Sequence, residues 1–417
     1  MFKLFAENRN FRSLLLFSTF GGVGRGMFSI FMMWVVHAMY QNPMYTGIAG
    51  FMFSAPLVAS FVIGPFVDRW SKVKVLRVVE LTKLCVVGLI LAAQILHYPG
   101  VWLMLPAIFV FSIASLFGGP AFMAMMPRVV DGEDLVKANA LMNIAGIATG
   151  LGIGVGLLLL TAGGADFAWV YMINAVVLLI SVLFSTLLRS SEPEPESDKA
   201  AEGTSPLKAY LGELKEGLSF IKTGIMLPLI IAMVSMRLFS QIAYVNFPMF
   251  AEVHLGTASG YVLLSALALT GGMLGSIICR AVDAKFNLSK ILVGGFAAAG
   301  AARILFVNIL PDNRTRGILL YVLYVGLASA IGIFYDVLVQ KLPPKTLISR
   351  VATANTSLSA IAAAIGALIG GILGTVLHAD TVFIIHGATY IAIGVLLCFS
   401  GQIRALPKIS ELGEPAP

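Results

Sequence analysis

One pattern occurs twice in the chain, as MPRVVDGEDLVKANALMNIAGIATGLGIGVG from Met126 to Gly156 and as LPPKTLISRVATANTSLSAIAAAIGALIGGILG from Leu342 to Gly374. At one constant offset the two copies share a proline, an Ala-Asn pair and two glycines: Pro127 with Pro343, Ala138-Asn139 with Ala354-Asn355, Gly150 with Gly366, and Gly154 with Gly370. Glycines four residues apart leave a smooth helix face that permits close packing. The sequence therefore predicts two equivalent halves, with these four glycines at helix interfaces.

The composition indicates a membrane protein with many spans. Hydrophobic residues make up 58% of the chain, charged residues only 12%, and the mean hydropathy is +0.92; soluble proteins average about 25% charged residues. A chain of 417 residues has room for about twelve spans of about 20 residues each. The net charge of +7 comes from basic residues in loops between spans, which membrane topology explains better than nucleic-acid binding.

The sequence contains no pattern typical of an enzyme or of a metal site. The three cysteines show no CxxC spacing, and no cluster of His, Cys and acidic residues has metal-ligand spacing. There is also no phosphate-binding Walker loop and no nucleophile constellation. We therefore expect no cofactor, no metal and no nucleic-acid partner, and predict a monomer in the lipid bilayer that handles a small-molecule substrate.

Twelve apolar stretches are predicted to span the membrane, six on each side of a polar linker. They lie near 12–39, 45–66, 75–97, 101–123, 138–161, 166–188, 225–250, 257–282, 288–310, 316–340, 350–377 and 381–403. The predicted domains are a first half over 1–189, a cytoplasmic linker over 190–222, a second half over 223–405 and a tail over 406–417. The linker is acidic and rich in Pro and Ser, and YLGELKEGLSFI near its end is predicted to form an amphipathic surface helix.

The distribution of Lys and Arg predicts the orientation. Alternate loops are basic, with the clusters Arg69 to Arg77, Arg128 to Lys137, Arg280 to Lys290 and Lys341 to Arg350. The opposite loops carry only Arg314 and Arg316. Because loops rich in Lys and Arg remain in the cytoplasm, both termini are predicted to be cytoplasmic, in a bacterial inner membrane.

Arg25 and Arg237 are the main candidates for substrate binding. Arg25 lies in FGGVGRGMFSIFMMW, about 20 Å from the inner end of its span, and Arg237 lies at a similar depth in the seventh span. Charged side chains at that depth usually face a watery cavity and have a function. Two guanidinium groups facing a central cavity would favour an anion, while structural pairing with a buried acid is the alternative.

Several other residues are weaker candidates. Phe28, Trp34, Gln241 and Tyr244 would line an amphipathic cavity, although packing explains such aromatic residues equally well. Asp336 is a candidate proton carrier, partner of an arginine, or half of a gate salt bridge.

Glu80 is a candidate for coupling, but it lies one helical turn from Lys83 and the two are expected to pair. Arg303 also lies deep in its span, the ninth, but no role is assigned to it. His37 and His386 are expected to be satisfied structural residues.

The segment GPFVDRWSKVKV resembles the loop between the second and third helices of the major facilitator superfamily. Six residues match that pattern: Gly64, Asp68, Arg69, Ser71, Lys72 and Lys74. The resemblance implies an all-α membrane fold of twelve helices, in two pseudo-symmetric six-helix halves around a central cavity, that works by alternating access. It also implies that Asp68 and Arg69, with Lys72, lock the inner gate.

The repeated segment with Pro127, Leu135, Ala138 and Asn139 is similar to the drug and siderophore exporter branch of that superfamily, which includes macrolide efflux proteins, and it also resembles lysophospholipid transporters. The fifth span lacks the Gly-Pro of the antiporter motif. The two arginines resemble those of organophosphate-phosphate antiporters. The predicted function is proton-coupled export of an anionic or amphipathic small molecule; organic-anion uptake or antiport, lysophospholipid transport, and a non-transporting sensor or scaffold are the alternatives.

Overall fold

The structure, a computed structural model, describes residues 2–60, 63, 67, 70–97, 100–130, 132–164, 166–188, 206–222, 224–283 and 285–412. Seventeen α-helices occur in these ranges: α1 Phe2–Glu7, α2 Arg9–Tyr40, α3 Pro43–Val58, α4 Lys72–Ile95, α5 Val101–Val129, α6 Leu135–Ala162, α7 Phe167–Leu187, α8 Pro206–Ile221, α9 Met226–Val245, α10 Phe247–Leu255, α11 Ala258–Leu269, α12 Gly271–Asp283, α13 Leu288–Ile309, α14 Arg314–Lys341, α15 Ile348–Val376, α16 Ala379–Phe399 and α17 Gly401–Arg404. Short 3-10 turns cover Gly132–Asp134 and Ile409–Glu411. The described chain is therefore all-helical.

Ten helices in this part of the chain are long and apolar enough to cross a membrane, counting α11 and α12 as one. The predicted second and third spans are not among them. In place of the second, α3 ends at Val58, and several residues of the predicted span that follow lie outside the described ranges. In place of the third, α4 carries Lys72, Lys74, Arg77, Glu80 and Lys83 within its first twelve residues.

Two predicted spans are broken in the structure. The span over 225–250 consists of α9 and α10, which meet at Asn246, and the span over 257–282 consists of α11 and α12, which meet at Thr270. At the first break, Pro248 near the start of α10 has no backbone N–H to continue the helical ladder. The buried Asn246 amide donates hydrogen bonds to the carbonyls of Ile242 at 2.9 Å and Gly370 at 2.8 Å.

The predicted linker is only partly described. Residues 189–205 lie outside the described ranges, while α8 covers the segment predicted as an amphipathic surface helix. Glu216 on α8 forms an ion pair with Arg350 near the start of α15. A Cβ added at Gly217 would lie 2.3 Å from the Arg350 carbonyl oxygen, so glycine is needed for this close approach.

The chain divides into two compact units. The first unit comprises Met1–Tyr40 and Pro56–Pro206, and the second unit comprises Gln41–Ala55 and Leu207–Pro417. The division after Pro206 falls within the predicted linker. The assignment of Gln41–Ala55 to the second unit was not predicted by the sequence.

Both units repeat one pattern of helix packing. In the first unit α2 packs on α6 and α7, and α4 packs on α5 and α7. In the second unit α9 packs on α15 and α16, and α13 packs on α14 and α16. This pattern makes α9 the equivalent of α2, α13 that of α4, and α15 that of α6, in agreement with the sequence repeat.

Glycines bring the helices of the second unit close together. A Cβ added at Gly366 on α15 would lie 2.5 Å from the Leu238 carbonyl oxygen on α9, and one at Gly370 would lie 2.8 Å from the Ile242 Cα. In the first unit, Gly154 on α6 is buried and Gly150 is half-buried. The glycine spacing read from the repeat thus coincides with close helix packing at α15.

Candidate substrate and coupling sites

Arg25 lies at the middle of α2, on a helix whose glycines pack against its neighbours. A Cβ added at Gly24 would lie 2.4 Å from Leu178 Cδ2 on α7. The amide of Asn174 on α7 donates a hydrogen bond to the Gly24 carbonyl at 3.1 Å. The Arg25 side chain is exposed and forms no hydrogen bond or ion pair with a residue that the structure describes.

A buried charge pair lies beside this arginine. Glu80 and Lys83, one turn apart on α4, form the expected ion pair, and both side chains are about 4% exposed. Lys83 Nζ also lies 5.9 Å from the centroid of the Phe111 ring. The positive charge of Arg25 repels that of Lys83. The other carboxylate oxygen of Glu80, Oε2, is buried and has no hydrogen-bond partner among the described residues. Arg25, Glu80 and Lys83 together carry one net positive charge.

In the second unit, Arg237 lies on α9, the helix equivalent to the one that carries Arg25. Its side chain is exposed, and it makes no hydrogen bond or ion pair within the described ranges. The neighbouring Leu238 and Ile242 form the face of α9 that packs on α15 through Gly366 and Gly370. Arg25 and Arg237 are therefore exposed guanidinium groups on equivalent helices, α2 and α9, and neither has a partner among the described residues.

The weaker substrate candidates differ in accessibility. Phe28 has no exposed surface and stacks on Phe111 with ring centroids 3.9 Å apart, so it belongs to the packing of the first unit in this conformation. Trp34 is also buried, with its ring 5.9 Å from that of His37. In the second unit Gln241 is half-buried, while Tyr244 is 36% exposed.

The gate and coupling candidates are only partly described. Asp68 and Arg69 lie outside the described residues. Lys72 is buried, and its Nζ donates hydrogen bonds to the carbonyls of Val67 at 2.9 Å and Trp70 at 3.1 Å. Asp336 on α14 is exposed and forms no ion pair with a described residue.

The second unit contains a buried cation, Arg303, to which the sequence analysis assigned no role. Arg303 on α13 is only 4% exposed and is enclosed by an aromatic box of four rings. The distances from its guanidinium carbon to the ring centroids are 4.2 Å for Phe383, 4.7 Å for Tyr324, 5.5 Å for Phe306 and 5.7 Å for Tyr321. Its Nε has no hydrogen-bond partner among the described residues.

His386 lies next to this box and is not the fully satisfied residue that was expected. Its Nε2 is 3.2 Å from the hydroxyl oxygen of Ser240 on α9, but its buried Nδ1 has no partner among the described residues. The ring lies edge-on to Tyr324 and Tyr390. Ser240 is three residues from Arg237, so the same helix carries an exposed cation and a contact to this buried cluster.

Within the described ranges, no group of three or more His, Cys, Asp or Glu side chains is placed to hold a metal ion. Most of the charged residues described on α2, α4, α9, α13 and α14 are cations, including Arg25, Lys83, Arg237 and Arg303, against the acids Glu80 and Asp336.

The model of the Major Facilitator Superfamily matches residues 14–367. The chain belongs to this superfamily. Two similar proteins from Bacillus subtilis (strain 168) are described as uncharacterized MFS-type transporters: YjbB, 29% identical over 36% of this chain and 38% of YjbB, and YvqJ, 23% identical over 57% of each. The matches thus span well under two thirds of both relatives. The family and the ten candidate spans make this chain a multi-pass membrane protein.

Solved structures agree on the Major Facilitator Superfamily fold. A variant of the nucleoside transporter NupG has a TM-score of 0.76 at 15% identity, with 94% of this chain and 100% of that chain covered. A peptide transporter POT in complex with sulfate has a TM-score of 0.73 at 12% identity, with 96% of each chain covered. At such low identity these similarities concern the fold alone.

Proposed function

We propose that this superfamily member is a secondary transporter that exports an anionic or amphipathic small molecule by alternating access, coupled to protons. We also propose twelve spans, two pseudo-symmetric halves and cytoplasmic termini, in a bacterial inner membrane. The family match and the packing pattern repeated in both units support this proposal.

The observation that carries the proposal is the pair of exposed arginines, Arg25 and Arg237. They lie on equivalent helices, inside apolar segments, and neither has a partner among the described residues. An exposed arginine in the middle of an apolar span is costly unless it faces water or a ligand. A guanidinium group offers a planar set of donors that matches carboxylate or phosphate.

The remaining candidates take secondary roles in this proposal. Gln241 and Tyr244 contribute polar and aromatic contacts to the apolar part of the substrate. Asp336, exposed and unpaired among the described residues, is the proposed proton carrier. Glu80 holds Lys83 and thereby influences Arg25, while Lys72, with Asp68 and Arg69, belongs to the proposed gate loop.

The proposal is tested in proteoliposomes with labelled polycarboxylates, phosphate esters and acidic drugs, with and without a pH gradient. Arg25→Ala and Arg237→Ala are each expected to reduce transport of one anion class at least about tenfold, because a hydrogen bond to a charged group contributes about 1.5–3 kcal/mol. Arg314→Ala removes an exposed arginine at the start of α14 and is expected to leave transport unchanged.

Two results would contradict the proposal. Transport of only neutral or cationic compounds, with both arginine variants active, would mean that the arginines do not bind substrate. Anion transport that is unaffected by the pH gradient and by Asp336→Asn would contradict proton coupling. The remaining functions would then be uptake of an organic anion, or exchange of one organic anion for another.

A further inference from the structure

A long apolar groove runs along α4 and α5 in the first unit. Its wider part encloses about 810 Å3 and is lined by Trp70, which precedes α4, and by residues of both helices, including Lys74, Val78, Val110, Ile113 and Phe117. A narrower part of about 380 Å3 shares Val78, Thr82 and Val110 and continues to Cys85 and Leu89. From Lys74 to Leu89 the groove follows fifteen residues of helix, or about 22 Å.

The groove is almost entirely apolar beyond its first turn. Thr82, a polar residue of its wall, donates its hydroxyl to the Val78 carbonyl at 2.8 Å and so offers no free donor. Val78 is 60% exposed and Leu89 53% exposed, so the groove is open along its side. One leaflet of a bilayer contributes about 15 Å of hydrocarbon, and the groove is therefore long enough for a whole acyl chain.

The end of the groove near Lys74 carries a cation and an aromatic ring, unlike the apolar remainder. Lys74 is exposed there and forms no ion pair with a described residue. Trp70 is half exposed, and its ring lies nearly parallel to that of Phe117 at a centroid distance of 6.1 Å. Tryptophan is typical of the membrane interface, and basic pockets between membrane helices bind anionic head groups.

We propose that this groove binds one anionic glycerophospholipid of the surrounding membrane, with an acyl chain along α4 and the head-group phosphate at Lys74. The ligand follows from the charge pattern, since Lys74, the one cation among the described lining residues, lies at the end of an apolar groove and matches an amphiphile with one anionic end. A membrane lipid, rather than a free amphiphile, is favoured because the groove opens sideways along its length. The inference depends on the membrane setting and is independent of any transported substrate.

The test uses the purified full chain in detergent, with dioleoyl-phosphatidylglycerol or dioleoyl-phosphatidylcholine added at equal concentration. The anionic lipid is expected to raise Tm by roughly 5 °C more than the zwitterionic lipid. In native mass spectrometry, Lys74→Ala is expected to weaken retention of the anionic lipid about fivefold, because a basic residue near the head group contributes about 1 kcal/mol.

Two further variants separate the groove from general charge effects. Val78→Trp fills the groove at an exposed position and is expected to abolish the Tm difference without changing the net charge. Lys290→Ala is the matched control, because Lys290 is the exposed third residue of α13, as Lys74 is of α4. This control is expected to retain both the Tm difference and the bound lipid.

Equal Tm effects of the two lipids, or full retention by Lys74→Ala, would overturn the proposal. An effect of oleate or lysophosphatidylglycerol that the diacyl lipid does not reproduce would also overturn it, because the groove would then take a free amphiphile. None of these readouts depends on transport, so the proposal fails independently of the proposed function.

Discussion

The two units accommodate a buried charge on equivalent helices in different ways. On α4 in the first unit, Lys83 is paired with an acid on the same helix, Glu80. On α13 in the second unit, Arg303 has no acidic partner within the described ranges and is enclosed by four aromatic rings. An ion pair neutralises the charge, whereas the faces of aromatic rings attract a cation and leave its charge in place. The comparison predicts that removing one residue lowers the free energy of unfolding by a different amount at each of the two sites.

Removal of the acid in the first unit is expected to have the largest effect. Glu80→Gln leaves Lys83 buried without a counter-charge and still under the influence of Arg25, and is expected to lower the free energy of unfolding by about 3–5 kcal/mol. Denaturant unfolding in detergent measures the change. The double variant Glu80→Gln with Lys83→Met is expected to recover most of the loss; a double variant as unstable as the single one would show that the charge pair is not the cause.

Removal of the cation in the second unit is expected to have a smaller effect. Arg303→Met leaves no charge unpaired, and the lost interaction with the rings corresponds to about 2 kcal/mol. The same unfolding measurement applies, with Arg303→Lys as a variant that keeps the charge but not the planar group. A loss for Arg303→Met as large as that for Glu80→Gln would mean that an anion pairs with Arg303 in addition to the contacts with the aromatic box.

The stability effect of a close helix contact in one unit can be compared with that of an open position on the equivalent helix of the other unit. Gly366→Ala places a Cβ 2.5 Å from the Leu238 carbonyl oxygen, a backbone atom that cannot move aside cheaply, and is expected to cost at least about 1 kcal/mol. Gly152→Ala on the equivalent helix α6 is the control, because nothing lies within 4 Å of its added Cβ among the described residues. Equal stability of the two variants in a thermal unfolding assay would contradict the close contact at α15.

The smallest effect is expected at an exposed pair with the same spacing as Glu80 and Lys83. Asp134 and Lys137 are also three residues apart and pair at 2.6 Å, but their side chains are 38% and 56% exposed. Asp134→Asn is expected to change the free energy of unfolding by less than about 0.5 kcal/mol, since water screens exposed pairs. A change comparable to that of Glu80→Gln would show that burial does not control the strength of these pairs.

The features that the sequence predicted are local or repeated. The apolar segments, the Gly366 and Gly370 contact face and the pairing of Glu80 with Lys83 each follow from residues close together in the chain. The exposed Arg25 and Arg237 could be singled out because each is an isolated charge in an apolar segment.

The features that the sequence did not predict depend on contacts between distant residues. The aromatic box around Arg303 consists of Phe306 from α13, Tyr321 and Tyr324 from α14, and Phe383 from α16. The chain contains many aromatic residues, and the sequence does not indicate which four contact the arginine. At the break between α9 and α10, Asn246 donates a hydrogen bond to the Gly370 carbonyl on α15, a contact that no local pattern reveals. Pro248, two residues later, was the available local signal for that break.

The aromatic box also has a consequence for biosynthesis. Arg303 is made before Tyr321 and Tyr324, and 80 residues before Phe383, the ring nearest to it. At about 5–20 residues per second, the ribosome needs roughly 4–16 s to add that last ring. During this interval α13 carries a charge without its full set of rings; such a charge costs about 2.5–3.5 kcal/mol at the centre of a membrane helix, an upper value for Arg303, which lies six residues before the end of α13. Glu80 and Lys83 face no such delay, because they are synthesised three residues apart; the second unit therefore depends on its later helices to keep α13 in place.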